Sequence, residues 1–175
     1  SSLLVSIWCA AADESFFLRP PPSKAGPAVA LVIIQGASCP PSGYRPVAEA
    51  IQEALPLPAW VAVPQFLLDT PEPVLFAAKL SSALKEMERA GMVANRTVVF
   101  GHSLGGVFSQ RHVVEKGGVD ALILYGATIL REYRHEPSLN ATLTIDGGVE
   151  EHQTASSPPA TTTTSAPASA TFSGN

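Results

Sequence analysis

The sequence predicts an α/β fold, a doubly wound and mostly parallel sheet flanked by helices. Three observations point there. Short apolar runs rich in β-branched residues alternate with amphipathic stretches of helical period. One run, Ala28–Ile34 (AVALVII), is apolar on both faces, as a strand covered on both sides of a parallel sheet must be. Strand and helix then recur in alternation, which implies right-handed crossovers between parallel strands. The chain has 175 residues, about one domain, and 46% hydrophobic against 15% charged residues leaves material for a core.

The elements follow in order. Residues 16–19, FFLR, read as a short strand, ended by Pro20, Pro21 and Pro22, and residues 23–27 as a turn. Ala28–Ile34 is the first buried strand, closed by Gln35-Gly36-Ala37-Ser38. Residues 44–55 carry Val47, Ala48, Ile51, Ala54 and Leu55 at helical spacing and stop at Pro56. Ala59–Val63 is the next strand and residues 66–73 a loop. Residues 74–90 predict a helix with Leu75, Ala78, Leu80, Leu84 and Met87 inward, capped by Gly91. Residues 97–100 (TVVF) are a strand, Leu104–Lys116 a helix ended by Gly117-Gly118, and residues 119–125 a strand entering Gly126. Residues 143–145 are the last strand, ending at Asp146-Gly147-Gly148.

The ends have their own character. Residues 1–12 contain SLLVSIWCAAA, which reads either as the end of a secretory signal peptide or as an N-terminal arm or strand. Residues 13–152 are the α/β domain. Residues 153–175 are Ser, Thr, Ala and Pro without charge or period, too poor in apolar residues to build a core; disorder is expected, as a mucin-like stalk or as sequence outside the domain. The sequons at Asn95 and Asn140 matter only if the chain is secreted; without a leader the cytoplasm is expected.

Composition excludes several functions. A net charge of −4 offers no basic surface to nucleic acid. No apolar run approaches the roughly 18 residues of a membrane span. The two cysteines, Cys9 and Cys39, are too few for a disulfide framework, and no CxxC or HxxxH spacing suggests a metal. Cys39, in a Pro-rich loop, reads as a structural or free thiol.

The chemistry-bearing stretch is VVFGHSLGG, residues 98–106. Gly101-His102-Ser103-Leu104-Gly105 places a serine between an apolar strand and an amphipathic helix. At such a hairpin the serine backbone is strained, commonly with positive φ. Side chains two residues before and after would collide, so glycine is required at Gly101 and Gly105. The turn lifts Ser103 off the sheet at a helix N-terminus, where free amides favour negative charge. A tight βα turn in a Rossmann-like domain is the plainer alternative, but G-x-G-x-x-G is absent. His102 adjoins the serine and would point away from it, so it reads as a packed or hydrogen-bonded residue. Acyl transfer also needs donors aimed at the developing oxyanion. The Leu104 amide is one; the loop after the first buried strand supplies the other, best through the Ala37 amide with Gly36 allowing close approach.

On these stretches the chain resembles the α/β-hydrolase superfamily, its serine esterase, lipase or dienelactone-hydrolase-like members. The resemblance covers residues 28–150, and the elbow is its specific part. Many members carry His-Gly where this chain has Gln35-Gly36. The resemblance implies the order serine, acid, histidine. It makes Glu150 the first candidate for the acid and Asp146 the second; Asp120 begins a strand at the wrong end of the sheet. The histidine is not identified: His112 lies within the helix after the elbow, His135 on a polar connection that as part of a cap segment would fall near the site, and His152 next to the acid itself. The chain is therefore read as an incomplete member lacking the last helix, strand and histidine loop.

The function expected is a serine hydrolase of carboxylic esters or thioesters acting on a small-molecule acyl substrate, without metal or organic cofactor. Phe66, Leu67, Leu68 and the segment after Tyr125 are expected to line an acyl pocket. The alternative is a non-catalytic fragment of this fold serving as a binding module.

Overall fold

Strands form where β-branched and aromatic residues cluster, and their pairing sets the frame. A computed structural model describes residues 14–146. The readings for residues 1–12 (Cys9 included), for Glu150 and His152, and for the tail at 153–175 lie outside them. The strands are β1 (Phe16–Leu18), β2 (Ala28–Ile34), β3 (Ala59–Val63), β4 (Ala94–His102), β5 (Ala121–Tyr125) and β6 (Thr142–Ile145). The helices are α1 (Arg45–Ala54), α2 (Pro73–Arg89) and α3 (Leu104–Lys116). The sheet order is β1-β3-β2-β4-β5-β6. β1 runs antiparallel to β3, and the other neighbours are parallel.

Alternation along the strands divides the core into two layers. Ala30, Val32, Ile34, Val99, Leu122 and Leu124 face α2 and α3. Leu31, Ile33, Val61, Val63 and Phe100 face Tyr44, Ala48, Ile51 and Leu55, at and within α1. Burial on both sides explains why β2 and β3 carry no polar residue. α1 covers only part of its face. Next to it, Val47 and Ile51 of α1, Phe100 and His102 of β4, Tyr125 of β5 and Ile145 of β6 line an apolar cavity of about 610 Å³. Among the described residues no helix is long and apolar enough to cross a membrane.

Several elements depart from their expected form. α2 buries Phe76, Leu80, Ala83 and Met87, whereas Ala78 is exposed and Leu75 and Leu84 only half-buried. The helix is turned to seat Phe76 between Phe66 and His112, with ring centroids 6.4 and 5.1 Å away. The large ring removes more apolar surface from water than Ala78 could. β4 starts at Ala94 because pairing with β2 holds even its exposed first residues. The connection from β5 to β6 holds two short 3-10 turns, Arg131–Tyr133 and Pro137–Leu139, with Leu139 buried.

The loop after β3 does not line the apolar cavity beside α1. Phe66 is buried in the core, while Leu67 and Leu68 are 64% and 83% exposed. Leu68 (φ 51°) and Asp69 (φ 52°) are both left-handed. Such a conformation costs a residue with a Cβ about 1–2 kcal/mol, and asparagine tolerates it better than leucine. Leu68→Asn loses no packing at so exposed a site. It is expected to raise stability by about 0.5 kcal/mol, seen as a higher urea midpoint at unchanged slope.

Candidate active site

The elbow is built from three glycines that leave no room for side chains. An ideal Cβ on Gly101 would stand 2.5 Å from Gly106 Cα and 2.9 Å from Ser109 Oγ. One on Gly105 would stand 2.5 Å from Ile34 O and would also meet Gln35 O. One on Gly106 would stand 2.8 Å from Ala127 Cβ. The first turn of α3 thus lies directly against the end of β2 and against its own strand β4. This contact brings the first turn of α3 next to the loop that begins at Gln35.

Ser103 sits at the apex with φ 49° and ψ −117°, and it is exposed. Its N–H donates to Tyr125 O at 2.9 Å, tying the elbow to β5. As the residue before α3, it makes no side-chain cap bond, so its hydroxyl is not used to hold the helix. Gly106 and Val107 donate to Ser103 O. The Leu104 amide, first in the helix, has no carbonyl a turn behind it to bond. In the loop after β2, Ala37 is exposed while Gly36 is buried. Gln35 is fully buried, and neither atom of its side-chain amide finds a partner among the described residues.

His102 is held away from Ser103. It lies on the α1 side of β4, its Nδ1 2.7 Å from Tyr44 Oη and its ring 5.4 Å from that of Tyr125. Burial lowers its pKa, so it stays a neutral, packed imidazole. His112 is nine residues along α3 from Ser103, about 13 Å at 1.5 Å per residue. Its ring packs on Phe76, and burial lowers its pKa too. His135 is exposed between the two 3-10 turns. Neither His102 nor His112 is positioned as a base for Ser103.

Asp146 is exposed just beyond β6. The register His102–Tyr125–Ile145 puts it level with Ser103, two strands across. At 4.8 Å per strand the backbones stand about 10 Å apart, room for one imidazole between them. Glu150 lies outside the described residues. Asp120 is at the opposite end of the sheet, as expected. It accepts from Thr97 N (2.7 Å) and from Arg96 (3.0 Å), and these bonds, the Thr97 amide first, hold its carboxyl below the usual range.

Two buried polar side chains that sequence reasoning passed over shape the site. Tyr44 was counted only as the start of a helix. Gln110 is fully buried on α3; it donates to Gly106 O (3.3 Å) and Thr128 O (3.0 Å) and accepts from Leu130 N (2.8 Å). It pins the segment after Tyr125 to α3, so that Ala127 and Ile129 join the α3-side core and do not line the cavity. A glutamine four residues after Gly106 on an otherwise buried helix face was the available signal. Cys39 is a free, half-buried thiol donating to Ala37 O at 3.4 Å. Among the described residues no cluster of His, Cys, Asp or Glu could hold a metal.

No family model matches the chain, and no curated protein does. Solved structures do. One is a highly thermostable carboxyl esterase from Bacillus coagulans in complex with glycerol: 17% identity, TM-score 0.52, covering 65% of this chain. Another is a probable hydrolytic enzyme from Pseudomonas aeruginosa: 21% identity, TM-score 0.42, covering 63% of this chain. The chain spans 39% of the length of the first and 36% of the second. At these identities the likeness concerns architecture. Mostly parallel sheet, flanking helices and structural likeness together establish that the chain has an α/β-hydrolase fold.

Proposed function

We propose that this chain carries the nucleophile and oxyanion half of a serine hydrolase acting on carboxylic ester or thioester bonds. The observation that carries the reading is the conformation of Ser103: an exposed serine at φ 49°, on a glycine-locked turn, at the N-terminus of a 13-residue helix. Backbone strain of this kind persists where the surroundings enforce it. A merely structural turn could use glycine there.

In this reading Ser103 Oγ attacks the acyl carbon, and the Leu104 and Ala37 amides receive the charge that develops on the carbonyl oxygen. The alcohol or thiol leaves with a proton, and water then cleaves the acyl-serine ester. Each oxyanion donor contributes about 10²- to 10³-fold in rate. Glu150, or Asp146 as the second candidate, orients a histidine that serves as base. No histidine among the described residues is assigned that role.

The second reading is a non-catalytic binding module. It is favoured by one observation: neither His102 nor His112 is placed to take the proton of Ser103. Exogenous imidazole separates the two. Serine sites stripped of their triad retain about 10³- to 10⁴-fold catalysis from oxyanion stabilisation and binding. A fluorophosphonate probe is expected to label Ser103, more quickly as imidazole is added. Absence of labelled Ser103 peptide at every imidazole concentration overturns the hydrolase reading in favour of the binding module.

A further inference from the structure

We infer that Tyr44 is a positioning residue that sets the distance between the two halves of the oxyanion site by bonding both of them through one hydroxyl. The inference rests on the hydrolase reading above, since it concerns how that site is held.

The tyrosine reaches this place through local geometry. Pro40 and Pro41 start a 3-10 turn, Pro41–Tyr44, in which Gly43 N donates to Pro40 O. The turn delivers Tyr44 to the start of α1 with only 8% of its surface exposed. Its Oη accepts from Gly36 N at 2.8 Å and stands 2.7 Å from His102 Nδ1. Gly36 directly precedes Ala37, and His102 directly precedes Ser103. One oxygen therefore bonds the neighbours of both the oxyanion donor and the nucleophile, Gly36 and His102, which lie 66 positions apart along the chain (102 − 36).

The bridge has no slack. A Cβ on Gly36 would stand 2.9 Å from His102 Nδ1 and 3.2 Å from Cε1, so the loop and the histidine are already in contact. A phenol offers one proton and two lone pairs. Gly36 N–H can only donate and takes one lone pair. With the imidazole hydrogen on Nε2 the phenol proton goes to His102 Nδ1; with it on Nδ1 the imidazole donates to the second lone pair and the phenol proton turns to the Cys39 sulfur, and the oxygen bridges both loops in either case. Protonation states agree with this arrangement. Burial, the largest influence, pushes the Tyr44 pKa well above its ordinary value, and burial lowers that of His102. Phenol and imidazole both stay neutral, and in the Nε2–H tautomer the His102 Nδ1 accepts.

The bridge is not required to complete either loop. Ser103 N is held by Tyr125 O, Ser38 N by Thr70 Oγ1 and Cys39 N by Asp69 O. Each loop has its own anchors; the phenol oxygen adds their relative position. That quantity decides whether the Ala37 amide reaches the oxygen of a carbonyl attacked by Ser103. A displacement of 1 Å can cost 10²-fold in rate.

The test measures fluorophosphonate labelling of Ser103 under saturating imidazole in the wild-type chain, Tyr44→Phe and His102→Phe. Tyr44→Phe keeps the ring and removes the bridging oxygen. The inactivation rate constant is expected to fall about 10- to 100-fold while the half-saturating probe concentration stays within about twofold, the signature of an interaction made in the transition state. His102→Phe, which removes the other end of the bridge, is expected to do the same. In amide NMR spectra the Gly36 proton is expected to move upfield in Tyr44→Phe and by less in His102→Phe, where its bond to the phenol oxygen remains. Wild-type labelling with either variant reacting at the wild-type rate overturns the positioning role and leaves the hydrolase reading intact. An unmoved Gly36 amide in Tyr44→Phe also overturns it. An unlabelled wild-type chain overturns the hydrolase reading first. Should Tyr44→Phe fail to fold, His102→Phe decides.

Discussion

Replacing Ser103 by glycine is expected to abolish fluorophosphonate labelling and at the same time to raise stability by about 1 kcal/mol. The two effects share one cause. At φ 49° and ψ −117° a residue with a Cβ is strained, at a cost of order 1–3 kcal/mol. Glycine adopts this backbone freely and recovers part of that strain, less what it adds to the entropy of the unfolded chain. No cap bond is lost, because the serine side chain makes none. Ser103→Ala is the companion. It removes the nucleophile but keeps the Cβ, so labelling should vanish with stability unchanged within about 0.5 kcal/mol. Urea unfolding gives the stabilities, and peptide mapping of the probe adduct gives the site. Equal stability of the glycine and alanine variants would show that no strain is stored at the elbow. Labelling that persists in both would place the reactive group elsewhere.

Gly105→Ala is expected to lower stability by about 2 kcal/mol net. Alanine in a helix is favoured over glycine by up to about 1 kcal/mol, which acts the other way. Against it, the new methyl would fall 2.5 Å from Ile34 O and onto Gln35 O, backbone atoms at and just beyond the end of the inner strand β2. Such atoms cannot rotate aside as a side chain would. Either α3 shifts from the end of β2 or the strand bends, and overpacking of this kind costs about 1–3 kcal/mol or more. A shift of α3 also carries the Leu104 amide away from Ala37, so Ser103 labelling should slow by at least the 10²-fold assigned to one oxyanion donor. Gly43→Ala is the control: nothing lies within 4 Å of its Cβ position and its φ is not positive, so a neutral effect within about 0.5 kcal/mol is expected. Thermal unfolding reads both, at roughly 2–4 °C per kcal/mol for a chain of this size. A Gly105→Ala protein as stable as Gly43→Ala would mean the helix and β2 are not in contact.

The fold was legible wherever one residue type had one reason to occur. AVALVII could be only a strand covered on both faces, and it is the inner strand β2. The glycines of the elbow were legible for the same reason, since only crowding explains three of them around one serine. Legibility failed where the choice lay between neighbouring apolar residues. In α2, the helical period fits Leu75 and Ala78 about as well as Phe76 and Ala83, and only the position of Phe66 selects the latter pair. The loop at Phe66-Leu67-Leu68 looked like a single apolar unit. Two left-handed residues split it, sending Phe66 into the core and both leucines outward.

Local sequence by itself determined the strand and helix order, the serine at the turn, and the placing of Asp120 at the far end of the sheet. Each is a matter of spacing along the chain, and spacing survives into any fold that keeps those elements. Tertiary structure decided which residues hold the site together. Tyr44 and His102 are 58 positions apart, and Gln110 reaches 20 residues ahead to Leu130. No periodicity links such pairs. They meet because parallel pairing in the sheet brings the ends of β2, β4 and β5 to one edge, where loops distant in sequence must share the same few hydrogen-bond partners.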